Sequence, residues 1–412
     1  MHLREHEART RKPFFANAVQ PKVEQPSLGF SRKTRPALFQ RDKATQNDSA
    51  KLAAFGVTRR KSSSAEATEC RREKLKEENH MCHTKSWRNV SQGLLLSLAL
   101  LIPWLSFAQE ERSEKFFNVK PGGWLELKAD FGAVEVRSWP KEEVRIEVTK
   151  WVEGRHRRSA KELFEDYEIS YSQTSRGVSI VAEMRGMSSW RRSNDGLQVE
   201  FLISVPQRYN LDLNTSGGSI AVDDLIGEAR VKTSGGSLTL GRIEGPVTAK
   251  TSGGSIELRQ CKGDLLAHTS GGGIGVGEVD GEVDIETSGG SISVNAASGN
   301  LRAHTSGGGL TLSNLRGNVD ASTSGGSIEA ELLAPISAPC ELSTSGGGIL
   351  VYLAKDVKAD IDAHCSGGDV HSDLPITVQG RFGEGKLVGK LNGGGPLLTL
   401  RTSGGGIELR QR

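Results

Sequence analysis

Three residues at equal spacing first suggest chemistry: His268, Glu286 and His304 follow one another at intervals of eighteen positions. Two imidazoles and a carboxylate form a ligand set for a divalent metal wherever a fold brings such positions side by side. The same spacing continues upstream to Lys250 and Lys232 and downstream to Ser322. No further ligand column converges on this one, so it reads as a solvated, variable ladder: Lys232, Lys250, His268, Glu286 and His304 become a candidate outward binding row, and no metal ligand is assigned. Two positions earlier, Asp284, Arg302 and Asp320 alternate in sign. They are expected to pair as ions, each pair contributing little.

Catalytic arrangements were sought and none is assigned. Solenoid enzymes that act on polysaccharides gather Asp, Arg or Lys in one groove, whereas the acids here are dispersed along the chain. The serines lack a nucleophile elbow or a His-Asp partner of recognisable spacing. Gly383-Glu384-Gly385-Lys386 lacks the remaining residues of a P-loop, and the glycine pairs lack the liganding Asp of calcium-binding nonapeptides. No cofactor is expected.

The element that must position the row is a repeat. Thr215-Ser216-Gly217-Gly218-Ser219-Ile220 recurs with near-copies at Thr233, Thr251, Thr269, Thr287, Thr305 and Thr323, and looser ones at Thr344, Cys365 and Thr402. Repeats of this length make solenoids, in which each coil buries its apolar face only against its neighbours. Counted from the Thr as zero, column 5 (Ile220, Leu238, Ile256) and column 7 (Val222, Leu240, Leu258) are apolar, as are columns 10, 14 and 16. Spacings of two mark one face of a strand. Column 12 is glycine from Gly227 to Gly317. Each coil therefore has two short strands and two turns.

Strand parity turns the threonines inward, where stacked hydroxyls are expected to form a ladder between rungs about 4.8 Å apart. The glycine pair after each Thr-Ser is expected to turn the corner with positive φ. Cys261, Cys340 and Cys365 fall on inward positions and are expected to be reduced core residues. Cys340 and Cys365 are placed on neighbouring rungs at different heights, beyond the ~7 Å Cα limit for a disulfide.

Upstream, residues 109–213 alternate with period two between turn residues, which predicts a strand-rich segment able to close the open end of the solenoid. One helix is expected within it, because Ser159-Ala160-Lys161-Glu162 has capping-box spacing. Two basic clusters, Arg155-His156-Arg157-Arg158 and Trp190-Arg191-Arg192, read as solvated turns.

The chain has 412 residues and a formal net charge of +3, unevenly divided. Residues 1–80 hold 18 Lys and Arg against 10 Asp and Glu, whereas residues 109–412 hold 33 against 40. A mildly acidic body excludes the basic footprint that nucleic-acid binding needs. The first 80 residues are polar, basic and aperiodic, a composition that cannot offset ordering entropy. Residues 81–108 then read as a secretory signal peptide: Lys85 and Arg88, an apolar run from Gly93 to Leu105, and Ser106-Phe107-Ala108 before a cleavage site between Ala108 and Gln109. Either translation starts at Met81 and the extension is not made, or the extension is made and segment 93–108 stays in the membrane as an anchor.

The entry strands from Phe116 to Leu127, the Val205-Pro206 step into Leu211-Asp212-Leu213, the Thr-Ser-Gly-Gly-Ser-Ile repeats and the closing Thr402-Ser403-Gly404-Gly405-Gly406-Ile407 resemble a family of bacterial exported β-solenoids grouped as candidate adhesins, a domain of unknown function. The resemblance covers about residues 116–412. It implies an envelope or surface protein and carries over no catalytic residue. The expectation is an all-β chain: residues 214–412 form a β-solenoid of about ten coils, and residues 109–213 cap it with strands and one short helix. The expected role is a non-enzymatic exported scaffold or binding protein in periplasm, at the cell surface or outside the cell. Its partner would be a glycan, an envelope component or a protein. A polysaccharide-acting enzyme and an ice-binding protein are the alternatives.

Overall fold

The computed structural model describes residues 110–154, 158–185, 196–378, 383 and 385–412. The basic extension, the signal peptide with its Ala108–Gln109 cleavage site, residues 155–157 of the first basic cluster and the Trp190-Arg191-Arg192 cluster lie outside them. Among the described residues the strands form two fifteen-stranded sheets, and each coil gives one strand to each. Leu238–Glu244 belongs to the first sheet and Val247–Lys250 to the second; Ile256–Cys261 and Leu265–Thr269 repeat the pattern. The chain is a β-solenoid.

Stacking is parallel and in register. Leu238, Ile256, Ile274, Ile292 and Leu310 face one another on successive strands of the first sheet. Val247, Leu265, Val283, Leu301 and Val319 do the same in the second. All ten are buried, so the core is the slab between the sheets. A repeat unchanged in length aligns identical columns, and any slip by one residue would turn every apolar side chain outward.

The corners hold the coils together, by contacts that differ from the expected ladder. The threonines are inward and aligned, but their hydroxyls do not bond to each other. Oγ1 of Thr233, Thr251, Thr269, Thr287, Thr305 and Thr323 donates to the carbonyl of Gly218, Gly236, Gly254, Gly272, Gly290 and Gly308 of the preceding coil, at 2.7–2.9 Å. The same oxygens accept, at 3.3–3.4 Å, the amide of the second glycine of their own coil at Gly236, Gly254, Gly290, Gly308 and Gly326. Each hydroxyl thus joins two coils at a turn.

Nor is positive φ the reason for the glycine pairs. Only Gly218 among the second glycines takes it, with φ +104°. The demand is for space: a Cβ on Gly236, Gly254, Gly272, Gly290, Gly308 or Gly326 would lie 2.0–2.3 Å from the carbonyl oxygen of the equivalent glycine below it. The first glycine is confined less tightly and unevenly: a Cβ on Gly271, Gly289, Gly307 or Gly325 would stand 3.0–3.1 Å from a carbonyl oxygen of the coil below. A Cβ on Gly235 would meet nothing closer than 3.9 Å.

Both ends depart from the repeat. At the N-terminal end the first sheet runs from Ile220–Val222 to Ala133–Trp139 and Leu197–Pro206, then antiparallel to Glu143–Val152 and Glu110–Asn118. The second runs from Asn210–Thr215 to Trp124–Ala129 and Gly177–Met184, then antiparallel to Tyr167–Gln173. The helix Ala160–Asp166 forms as expected. Ser159 Oγ accepts the Glu162 amide at 3.3 Å, and Leu163 and Phe164 are buried. Lys150, 7% exposed, pins this helix end by donating to the carbonyls of Phe164 and Tyr167 at 3.0 and 3.3 Å. The outermost strand carries Glu110, Glu111, Arg112, Glu114 and Lys115. Such charges discourage pairing with another chain.

At the other end the coils do not stack in chain order. The closing coil, Leu397–Thr402 and Ile407–Gln411, inserts between the coil of Thr344 and the coil of Cys365. Thr402 Oγ1 donates to Gly347 O at 2.7 Å, as a regular next coil would. Arg401 grips Asp362 of the displaced coil with two hydrogen bonds, 3.1 and 2.5 Å long, which hold that carboxyl below its ordinary value. Cys340 and Cys365 therefore lie two rungs apart, not on neighbouring ones. Cys261, Cys340 and Cys365 are buried free thiols, and burial pushes the Cys261 thiol up to about 11.

Two substitution pairs test the corner. Gly236→Ala should lower stability by about 2–4 kcal/mol through its clash with backbone, whereas Gly235→Ala should change it by no more than ~0.5 kcal/mol. Denaturant melts of the two would be compared, and equal stability would refute the space argument. Thr287→Val should cost about 1–2 kcal/mol, because it strands the Gly272 carbonyl while keeping shape, and Thr287→Ser should recover most of that loss.

Candidate functional site

The candidate row forms on the outer face of the second sheet. Strand alternation turns positions just before each Thr outward, and the parallel register aligns Lys232 with Lys250, Lys250 with His268, His268 with Glu286, and Glu286 with His304. Neighbours along the row are thus about 4.8 Å apart at the backbone. Asn214 and Lys128 continue it toward the N-terminal cap, while Ser322 and Ser343 lead to Arg401.

The imidazoles are not aimed at each other across Glu286. His268 Nε2 lies 4.0 Å from Asp284 Oδ1, and His304 Nε2 lies 3.6 Å from Asp320 Oδ2. His304 Nδ1 is also 2.5 Å from Ser322 Oγ. Each histidine turns diagonally to the aspartate of the next coil, so the row does not assemble a metal site. Among the described residues no three His, Cys, Asp or Glu stand close enough to hold a metal ion.

The expected ion ladder is corrected at the same place. Asp284, Arg302 and Asp320 are aligned, but the aspartates face the histidines, and no ion pair joins them to Arg302. Lys232, Lys250 and Glu286 likewise have no ion pair among the described residues. Two like charges side by side on adjacent strands repel. The Lys232–Lys250 end of the row therefore sets two positive charges side by side with no ion pair on either among the described residues.

Beside the row is a shallow depression of about 480 Å³, bordered by Leu266, Asp284, Arg302, Asp320, Asp264 and Glu282. Sequence reasoning did not find it, because its acidic rim comes from column 13, directly after the corner glycines. Those side chains are engaged in the turns: Asp264 Oδ1 accepts the Glu282 amide at 3.0 Å, and Glu282 Oε1 accepts Asn300 Nδ2 at 3.0 Å. Their carboxylates are thus used to cap corners. The arrangement presents charge and shape, the means of docking a partner.

No helix among the described residues is long and apolar enough to cross a membrane. A comparison with curated proteins returns no match. Among solved structures, a candidate adhesin from Bacteroides fragilis is 8% identical, with 73% of this chain and 97% of that one covered and a TM-score of 0.28. A candidate cell adhesion protein from Clostridium sporogenes is 14% identical, over 73% of this chain and 100% of that one, at a TM-score of 0.19. A candidate lipid-binding protein from Parabacteroides distasonis is 10% identical, over 74% and 98%, at 0.30. A family profile, by contrast, matches residues 125–410, most of the chain and nearly all of its two-sheet solenoid: the protein belongs to the Toastrack DUF4097 family.

Proposed function

We propose that this protein is a non-enzymatic, exported, adhesin-like binding protein of the cell envelope, and that it docks its partner on the outer face of the second sheet. One observation carries the reading. The inward columns repeat from coil to coil, whereas the outward row changes from Lys232 and Lys250 through His268 and Glu286 to His304 on one flat, in-register face. Stability accounts for the inward columns. It does not account for Lys232 beside Lys250, which costs electrostatic energy in the free protein and is relieved by an anionic partner.

An anionic envelope glycan fits this end of the row best. Its repeated charges can follow lysines set at the spacing of the rungs, and multivalent contact of that kind builds retention from weak single pairs. Export through the segment 81–108 is part of the same proposal, since it would bring the solenoid to such a partner.

The test is retention of the full chain on envelopes from its native cells, with wild type compared to a Lys232→Glu, Lys250→Glu double variant. Both sites are on the surface of the sheet, so melting should not fall. Retention is expected to drop at least tenfold, and raising salt should weaken wild-type retention in the same direction. Equal retention of the two proteins, or turnover of the envelope glycan by the purified protein, would overturn the proposal.

A further inference from the structure

A second cavity, of about 880 Å³, lies at the N-terminal cap, between the turn Lys120–Gly123 and the turn Thr174–Gly177. Its volume falls within the ~300–1,000 Å³ of small-molecule sites. None of the row residues from Lys232 to His304 lines it. The walls are fixed by backbone and amide bonds: Gly122 N donates to Arg208 O at 2.7 Å, Trp124 N to Arg176 O at 2.9 Å and Val119 N to Glu142 O at 3.0 Å. Asn210 Nδ2 donates to Gly122 O and Gly123 O at 3.0 and 3.1 Å, and Gln173 Nε2 reaches Asn118 O at 2.6 Å. Trp124 forms part of the wall, and its ring is engaged by two guanidinium groups, Arg176 at 5.0 Å and Arg230 at 5.1 Å from its centroid.

Tyr209 borders this cavity from beneath. It stands in the corner column that holds Gly227, Gly245 and Gly263 in later coils, and its phenol end rests on Gly123. A Cβ added to Gly123 would be 2.9 Å from Cε2 and 3.0 Å from the hydroxyl oxygen. The residue is 0% exposed and its hydroxyl, closed off beneath Gly123, has no hydrogen-bond partner, so a ligand meets it only where the Lys120–Gly123 turn gives way. A buried hydroxyl left unpaired is costly, and a phenylalanine would fill the same space without that cost. Burial pushes the phenol up to about 12, so it stays protonated and able to donate.

We propose that this cavity is a binding site for a neutral saccharide, with the Tyr209 hydroxyl as the buried hydrogen-bonding group at its base. The other groups that border it and are engaged with nothing else are Lys120, Glu142 and Ser175. One cation, one anion and two hydroxyls suit a ligand whose many hydroxyls both donate and accept and which has no net charge. An anion would meet Glu142, an amine would meet Lys120 and Arg176, and a lipid tail would find a lining that is mostly polar.

The test uses the full chain and a panel of glucose, galactose, mannose, N-acetylglucosamine, lactose and cellobiose, with glucuronate and glucosamine as charged controls, read by calorimetry and thermal shift. At least one neutral sugar should bind and raise the melting temperature, more strongly than either control. Tyr209→Phe should weaken that binding at least tenfold, and Ser175→Trp, which adds a large side chain to the lining, should abolish it. Without sugar, Tyr209→Phe should melt at or above wild type, because it removes an unsatisfied group. The Lys232→Glu, Lys250→Glu variant should bind the sugar as wild type does, which separates this site from the sheet row. The proposal is overturned if no neutral sugar binds, if Tyr209→Phe binds as tightly as wild type, or if that variant alone melts lower.

Discussion

Every regular coil depends on one hydrogen bond, from a threonine hydroxyl to a glycine carbonyl of the coil before. Along the strands, parallel ladders satisfy the backbone of neighbouring rungs. At a corner the chain turns out of the ladder, and the carbonyl of the second glycine is left pointing along the axis. Thr287 Oγ1 on Gly272 O, 2.8 Å long, supplies the missing donor without a strand. The carbonyl approaches the next coil so closely that the residue above it must lack a Cβ. Threonine and glycine are thus two parts of one contact, which is why they recur together.

This division of labour gives the sheet face its freedom. Because cohesion is supplied by corners and by the buried columns, outward positions can be spent on charge patterns that do not help the free protein stand. Lys232 and Lys250 side by side are one such pattern, and the histidines turned to Asp284 and Asp320 are another. A surface like this is read as a linear display, with position along the axis set by coil number.

Much of this architecture was legible in the sequence, because an eighteen-residue period aligns columns wherever coils are equal. Burial of column 5, the inward threonines, the outward row and the helix cap at Ser159 all follow from local spacing. What periodicity does not encode is partner choice across coils. Thr Oγ1 could meet another threonine or a carbonyl, and only the height of the glycine corner decides between them. Arg302 sits between two aspartates in register, but Asp284 and Asp320 lie diagonally beside His268 and His304 and face those rings instead. Nothing in local spacing marks Tyr209, since its meaning lies in the corner column it shares with Gly227. The inserted coil was hidden for a related reason: stacking order is a long-range property, and the copies at Thr344, Cys365 and Thr402 are each compatible with being next.

That insertion sets a direction for assembly. A chain emerging from its N-terminal end can add coils one after another as far as Leu353, each docking on a finished surface. The next coil in the chain, ending at Cys365, has no such surface, because its neighbour in the stack is the strand Leu397–Thr402. Ala359–Cys365 has one partner within its own segment, Lys386–Leu391, and its place in the stack is made by Leu397–Thr402. That end of the second sheet is consequently closed by Ala359–Cys365, Lys386–Leu391 and Ile376–Val378, strands that precede in sequence the one they stack upon.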